Sequence, residues 1–139
     1  MCVFCDILAG KLEAQIVYDD KSVAAFLDFR PLFAGHTLVV PTSHFEVLAD
    51  LPEPFVGTYF AAVKKMALAV ERAMDARGSF VALNNRVSQS VPHVHTHVVP
   101  RRPKDGLRGF FWPRTRYDSN DHAAKTAAAI RHALKEVET

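Results

Sequence analysis

The most constraining feature of the sequence is a nine-residue stretch between two prolines that carries three of the seven histidines at alternate positions. It reads Pro92-His93-Val94-His95-Thr96-His97-Val98-Val99-Pro100. Its β-branched residues are typical of a strand, in which successive side chains point to opposite faces. We therefore predict that His93, His95 and His97 share one face. Alternate β-carbons lie ~6.5–7 Å apart, so the outer two histidines stand ~13 Å apart and one metal ion cannot bind all three.

Three histidines in this arrangement indicate a functional site rather than a structural role. A single strand histidine is usually a hydrogen-bonded structural residue. Imidazole has low β propensity and titrates near neutral pH, so three in register destabilise a strand unless each has a partner. The pattern therefore favours a functional face.

Length and composition narrow the class of protein. The chain has 139 residues, of which 49% are hydrophobic, and this predicts one domain with a real core. There is no run of eighteen apolar residues and no charged-then-apolar N-terminus, so we expect a cytoplasmic protein without a membrane span or secretory signal. A net charge of +2 argues against a dedicated nucleic-acid binder and is compatible with a small anionic ligand.

Short strand-like runs and two long helical periodicities predict an α+β fold. The strand runs are linked by short turns, which favour about five antiparallel strands. Asp50 is the expected N-cap of a core-packing helix that ends at Gly78. The second long helix is expected over 122–137. The strand runs lie at residues 15–18, 22–28, 36–40 and 79–84 and in the histidine stretch.

Cys2 and Cys5, the only cysteines, have a spacing that zinc sites use routinely. A disulfide is disfavoured by a reducing cytosol, and a thioredoxin-like redox pair needs a preceding strand, which Met1 alone does not supply. Zinc and free thiols remain as the two readings. Two thiolates need two further ligands, for which His44 and His93 are candidates because each stands at a strand end.

The histidine stretch resembles the His-x-His-x-His-x-x signature of the histidine triad (HIT) family of nucleotide hydrolases and transferases. Other segments follow in the family's order: Cys2-Val3-Phe4-Cys5, Ala25-Phe26-Leu27-Asp28, Gly35-His36-Thr37-Leu38-Val39-Val40-Pro41 with His44 beyond it, and Gln89-Ser90-Val91. The resemblance covers roughly residues 2–102. It implies a single HIT domain over 1–139, with a C-terminal basic and aromatic loop and helix at about 101–139.

The resemblance also implies a metal site. Zinc-containing members of the family bind the ion at the four positions that match Cys2, Cys5, His44 and His93. Four protein ligands leave no open position for water, so the zinc is expected to be structural.

The catalytic assignment comes from the same resemblance. The middle histidine, His95, is the expected nucleophile, which forms a nucleotidyl-imidazole intermediate on the α-phosphorus. His97 is expected to donate to phosphate oxygens. Asp28 matches the position that accepts hydrogen bonds from the ribose hydroxyls. His36, alone at a strand start, is expected to be structural.

The loop before the triad departs from the family pattern. Ser88 stands where the family has a glycine, and the loop is shorter, which alters how closely the backbone approaches a phosphate. Gln89 and Ser90 are still expected to donate to the phosphate or the leaving group, as are Asn84 or Asn85.

The implied ligand is a purine nucleotide or nucleotide conjugate, and the implied assembly is a homodimer. Two other readings of the residues remain open. In one, His93 and His95 form a His-x-His pair in a metal-dependent hydrolase, although a third ligand is not evident. In the other, the domain is a regulatory nucleotide-binding module with negligible turnover.

A basic and aromatic segment lies after the triad, between Arg101 and Arg116. It contacts either a phosphate and a base or only solvent, and the sequence does not decide between these readings. The segment contains six basic residues and only one acidic residue, Asp105. Three aromatic residues lie among them: Phe110, Phe111 and Trp112.

Overall fold

The computed structural model describes residues 2–108 and 114–138. Its elements along the described chain are α1 (Val3–Leu8), β1 (Ile16–Asp19), β2 (Val23–Leu27), β3 (Thr37–Pro41), a short 3-10 helix (Leu48–Asp50), α2 (Glu53–Ala73), β4 (Gly78–Ala82), β5 (Thr96–Arg101) and α3 (Asn120–Glu138).

The five strands form one sheet in the order β1-β2-β3-β5-β4. Every neighbouring pair is antiparallel, and Leu38 of β3 and Ala82 of β4 both lie opposite His97 of β5. The expected α+β fold, with a five-stranded antiparallel sheet and two longer helices, is confirmed.

Helix α2 covers one face of the sheet. Tyr59 is fully buried there; its hydroxyl donates to the carbonyl oxygen of Val39 and lies 2.7 Å from both that oxygen and Oγ1 of Thr96. This polar contact fixes the strand backbone beside the triad. The apolar core on this face consists of Val23, Ala25, Val39, Leu51, Tyr59, Ala62, Val63, Met66, Val70, Val94 and Val98.

The opposite face carries the histidine chemistry. Directly paired residues of neighbouring strands point to the same face, so His97 shares this face with Leu38. The short helix α1 packs here through Phe4, whose ring meets the ring of Phe26 edge-on at 5.3 Å. The small core on this face consists of Phe4, Ala24, Phe26, Leu38 and Val40.

Both ends of α2 differ from the expected positions. Pro52 is the N-cap, and the Asp50 carboxylate instead accepts the backbone N–H of Val47 at 3.2 Å. At the other end, Asp75 takes the left-handed conformation with φ 50°, and the N–H of Ala76 donates to the Glu71 carbonyl at 2.9 Å. This closing pattern terminates the helix without a glycine.

The histidine stretch is less regular than expected. Strand β5 begins at Thr96, so His97 lies in the strand while His93 and His95 precede it. The N–H of Val94 donates to the Phe45 carbonyl at 2.7 Å, outside the β3–β5 ladder. Strict strand alternation therefore does not hold for all three histidines, because the chain enters the sheet only after His95.

The described residues separate into two compact units, residues 1–105 and residues 106–139. The single-domain expectation therefore stays a prediction. The second unit contains α3, which begins two residues before its expected start and carries an Asp121–Lys125 ion pair at 3.1 Å. Within the described part of the chain, no helix combines the length and apolar character needed to cross a membrane.

Candidate active site and metal centre

A cavity of about 910 Å³ opens beside the histidines in the first unit. Its lining is mainly apolar and also includes polar groups. His95, His97, Asp28 and Ser90 are among these polar groups. The apolar wall includes Val3, Phe4, Ile7, Leu12, Phe26, Leu27, Phe29, Leu38 and Val91. A mainly apolar cavity with a carboxylate and two imidazoles in its lining suits a small ligand that has an aromatic part and a polar part.

Four metal-binding side chains meet behind the cavity: Cys2, Cys5, His44 and His93, whose ligand atoms all lie within 4.8 Å of one another. Nδ1 of His93 lies 3.4 Å from the Cys2 sulfur and 3.6 Å from the Cys5 sulfur, and Nδ1 of His44 lies 3.4 Å from the Cys5 sulfur. A tetrahedral zinc with ordinary bond lengths places its sulfur and nitrogen ligands about 3.6 Å apart. The four residues fit a zinc ion.

Hydrogen bonding prepares His93 for a metal. Its Nε2 lies 2.9 Å from the Pro41 carbonyl oxygen, which only accepts, so the ring proton is on Nε2 and the lone pair of Nδ1 faces the two sulfurs. Such outer hydrogen bonds orient metal-binding histidines in general. Partial burial and the neighbouring Cys2 raise the pKa of the Cys5 thiol, so a bound cation has to displace its proton.

His95 has the opposite tautomer to His93, with its proton on Nδ1. Its Nδ1 lies 2.7 Å from the His93 carbonyl oxygen and must donate to it, which leaves Nε2 without a proton. Burial lowers the pKa of His95, which is 3% exposed, so the neutral ring is favoured. A neutral imidazole with a fixed lone pair at a cavity wall is suited to nucleophilic attack.

His36 and His97 form a second ordered pair. The backbone N–H of Leu32 donates to Nδ1 of His36 at 3.0 Å, so the His36 proton is on Nε2. That nitrogen lies 2.9 Å from Nδ1 of His97 and 3.6 Å from a carboxylate oxygen of Asp28. His97 consequently accepts at Nδ1 and carries its own proton on Nε2, as a hydrogen-bond donor.

Asp28, His36 and His97 also bring three possible ligand atoms within 4.8 Å of one another. This cluster contains neither His93 nor His95, so it does not supply the third ligand that the His93–His95 pair lacked. A separate metal here is disfavoured, because Nε2 of His36 must lose its proton to bind a metal while the Leu32 N–H occupies Nδ1. The hydrogen-bonded arrangement is therefore favoured over a metal at this position.

The residues predicted to contact phosphate divide into two groups. Ser90 lines the cavity. The Gln89 amide is instead bonded to other protein groups, since it donates to the Glu46 carbonyl, beyond the end of β3, and accepts the Arg86 N–H of its own loop at 2.8 Å. Asn84 donates to the Ser88 carbonyl at 3.1 Å, and Asn85 accepts the Leu48 N–H at 2.8 Å. These three amides hold the shortened loop, in which Arg86 and Ser88 take left-handed conformations.

The basic and aromatic segment is described only in part, because Phe110, Phe111 and Trp112 lie outside the described residues. Within its described part, the Arg101 guanidinium is bonded to the Asp105 carboxylate at 2.6 and 3.0 Å. Arg102 donates to the carbonyls of Met74 and Asp75, at the C-terminal end of α2. These two cations therefore have structural partners.

The fold and the histidine arrangement define a known family. The family model described as the HIT domain matches residues 9–104. An uncharacterized HIT-like protein of Methanocaldococcus jannaschii is 40% identical, over 76% of this chain and 83% of its own length. The chain belongs to the HIT family.

Solved structures agree with this assignment. A HIT family member from Bacillus subtilis superposes with a TM-score of 0.84 and 34% identity, covering 94% of this chain and 95% of its own. A zinc-bound histidine triad family protein from Mycobacterium smegmatis has a TM-score of 0.72 and 34% identity, over 97% and 96% of the two chains. This relative and the Cys/His cluster identify the chain as the zinc-containing type.

Two relatives carry names that state a reaction. An adenylylsulfatase of Arabidopsis thaliana is 31% identical over 76% of this chain and 55% of its own length. An asymmetrical bis(5'-nucleosyl)-tetraphosphatase of Schizosaccharomyces pombe is 34% identical over 66% of this chain and 52% of its own length.

Two site features were not anticipated from the sequence. His36 was expected to be structural, yet it contacts His97 and determines that ring's proton position. Phe4 had no assigned role, yet it lines the cavity and meets the His95 ring at 5.0 Å. The sequence offered one signal for each. His36 is a histidine directly before an apolar strand, and Phe4 is an aromatic residue between two cysteines.

Proposed function

We propose that this protein is a nucleotide hydrolase or transferase that cleaves at the α-phosphate of nucleoside phosphoramidates or dinucleoside polyphosphates. The observation that carries the proposal is the tautomer of His95, whose Nδ1–H is bonded to the His93 carbonyl so that Nε2 is the nucleophilic atom. Both relatives with named reactions act on nucleotides or their conjugates, which supports this substrate class.

The reaction has two displacements. Nε2 of His95 attacks the α-phosphorus, and the bond from that phosphorus to the amine or phosphate leaving group breaks, with an amine taking up a proton from solvent as it leaves. Water then attacks the same phosphorus, the bond to Nε2 breaks, and the water proton passes to solvent, which releases a nucleoside monophosphate and restores neutral His95. The Nε2–H of His97 donates to a phosphate oxygen, where negative charge increases in the transition state.

The cavity accounts for the rest of the nucleotide. Asp28, a carboxylate at the cavity wall, accepts the ribose hydroxyls, and Ser90 donates near the phosphate. The apolar wall formed by Phe4, Phe26 and their neighbours receives a purine base. Zinc, bound by Cys2, Cys5, His44 and His93, would supply structural stabilisation and no reacting group.

The decisive experiment compares three substitutions with an adenosine 5′-phosphoramidate as substrate. His95→Ala should abolish hydrolysis while AMP binding survives. His97→Ala should be less severe, and Ser90→Ala milder still, within the roughly 10–1000-fold range for loss of one transition-state donor. His132→Ala, on α3, is the control.

Rapid quenching and mass analysis of the wild type should find a nucleotidyl adduct on the peptide that contains His95. An adduct elsewhere, or full activity in His95→Ala, would identify a different nucleophile. At saturating substrate, chelators that spare the fold should barely change kcat, whereas they would abolish a reaction that depends on a metal-activated water. Undetectable turnover at near-physiological substrate would favour a regulatory nucleotide-binding module.

We also propose a homodimer. Among the described strands β1 and β4 are the two edges of the sheet, and such edges commonly pair with another chain. We place the contact at β4, where the apolar Val81 is 43% exposed. Sedimentation should give a species of twice 15.5 kDa, and Val81→Lys should shift it towards the monomer. A wild-type monomer at micromolar concentration would refute the dimer.

A further inference from the structure

Phe4 occupies a position shared by the metal centre and the cavity. It lies between Cys2 and Cys5 in sequence, on a helix of only six residues. The Cys2 sulfur accepts the backbone N–H of Cys5 at 3.4 Å, so the two cysteines close a tight turn around Phe4. Any displacement of the cysteines therefore displaces the Phe4 backbone as well.

The Phe4 side chain points away from this turn and into the site. Only 6% of the residue is exposed. Its ring meets the His95 ring at 5.0 Å with an interplanar angle of 80°, and the His93 ring at 5.8 Å with 74°. Edge-to-face contacts of this kind are favourable beyond area burial and prefer particular ring geometries.

The two observations together give a physical connection between two sites. We propose that Phe4 is a positioning residue that couples metal binding at Cys2 and Cys5 to nucleotide binding in the cavity. The inference rests on the proposed function, because it takes the cavity ligand to be a nucleotide. When the metal fixes the cysteine turn, Phe4 fixes the cavity wall and the His95 ring. Without the metal, both have more freedom and the nucleotide binds less tightly.

Such a coupling must be reciprocal, and reciprocity provides the test. The zinc dissociation constant of the full-length chain is measured by competition with a chromophoric chelator, with and without saturating AMP. We expect AMP to tighten zinc binding at least about fivefold, and zinc to tighten AMP binding by the same factor in calorimetry. Neither measurement depends on catalysis.

Phe4→Leu keeps an apolar side chain but removes the ring. It should still bind zinc, and its coupling factor should fall below about twofold, since its contact with His95 is lost. If AMP binding by Phe4→Leu is too weak to measure, Phe4→Met serves as the test variant, because the methionine side chain is longer than that of leucine. Phe29→Ala is the matched control, because Phe29 also lines the cavity, is 89% exposed and belongs to the β2–β3 connection. It should weaken AMP binding and retain the coupling.

The outcomes separate the two proposals. AMP binding with an unchanged zinc dissociation constant would overturn the coupling and leave the proposed function intact. Coupling that persists in Phe4→Leu would show that the connection runs by another route, such as the His93 carbonyl that accepts from His95, and would overturn the assignment to Phe4. Failure of the zinc-loaded wild type to bind AMP would overturn the proposed function and the coupling with it.

Discussion

Nε2 of His36 lies 2.9 Å from Nδ1 of His97, and the Leu32 N–H determines that His36 is the donor. A residue outside the triad thereby sets the proton position of a triad residue. The direction matters because a nitrogen that carries a proton stabilises a phosphate oxygen, whereas an unprotonated nitrogen repels it.

The first prediction tests this pair. His36→Ala should lower kcat about 2–10-fold, the loss expected for one hydrogen bond that orients a catalytic ring. Nitrogen NMR of the wild type should show the His97 proton on Nε2, and that tautomer should lose its dominance in the variant. A wild-type His97 with its proton on Nδ1 would contradict the assignment, and His132→Ala provides the control for substitution of a histidine.

The second prediction concerns the metal centre. Protein purified without chelator should contain one zinc per chain, and Cys5→Ser should lose the metal and unfold at a lower temperature, because metal binding and folding are linked. His95→Ala should retain its zinc. Metal analysis that returns less than about a tenth of an equivalent for the wild type would refute a resident zinc.

The third prediction concerns stability in acid. Burial, with smaller contributions from His95 and His36, lowers the pKa of His97 to about 4, while Asp28 acts in the opposite direction. Between about pH 6.5 and pH 4 the unfolded chain binds a proton at His97 that the folded chain does not. This contribution to stability is therefore fully present above pH 6.5 and is lost as the pH falls through that window.

The measurement compares His97→Gln with the wild type by urea unfolding at several pH values. The variant should show a shallower decline in the free energy of unfolding, by at most about 1.4 kcal/mol per pH unit for one proton. Zinc release and the remaining histidines affect both proteins, so the difference in slope isolates His97. Equal slopes would mean that His97 is charged in the folded protein at pH 5.

The fourth prediction concerns the buried hydroxyl beneath the site. Tyr59→Phe should lower the free energy of unfolding by about 1–3 kcal/mol, because the Val39 carbonyl loses its donor and the Thr96 hydroxyl loses a partner in the core. Tyr117→Phe is the control; Tyr117 is 59% exposed, and a surface change of this kind stays within about 0.5 kcal/mol. Equal effects of the two substitutions would contradict the assigned role.

The fold class, the family and the set of metal-binding residue types could be predicted from the amino-acid sequence. Alternating β-branched residues and helical periodicity are local signals, and they predicted the sheet and α2 because burial of one face requires them. The positions of the α2 ends and the irregular entry into β5 were beyond these signals. Asp75 and Ala76 end α2 through backbone hydrogen bonds that no residue type specifies, and the Val94 N–H leaves the ladder for Phe45.

The differences among the histidines depend on contacts between distant parts of the chain. His36 and His97 are 61 residues apart, and His93 is 52 residues from the Pro41 carbonyl that fixes its tautomer. The contact of Phe4 with His95 and the bond from the Gln89 amide to the Glu46 carbonyl likewise join residues far apart in the sequence, so the sequence did not reveal them. Each imidazole has two nitrogens and one proton, and the proton's position depends on which backbone group reaches the ring, which is a property of packing and not of residue type.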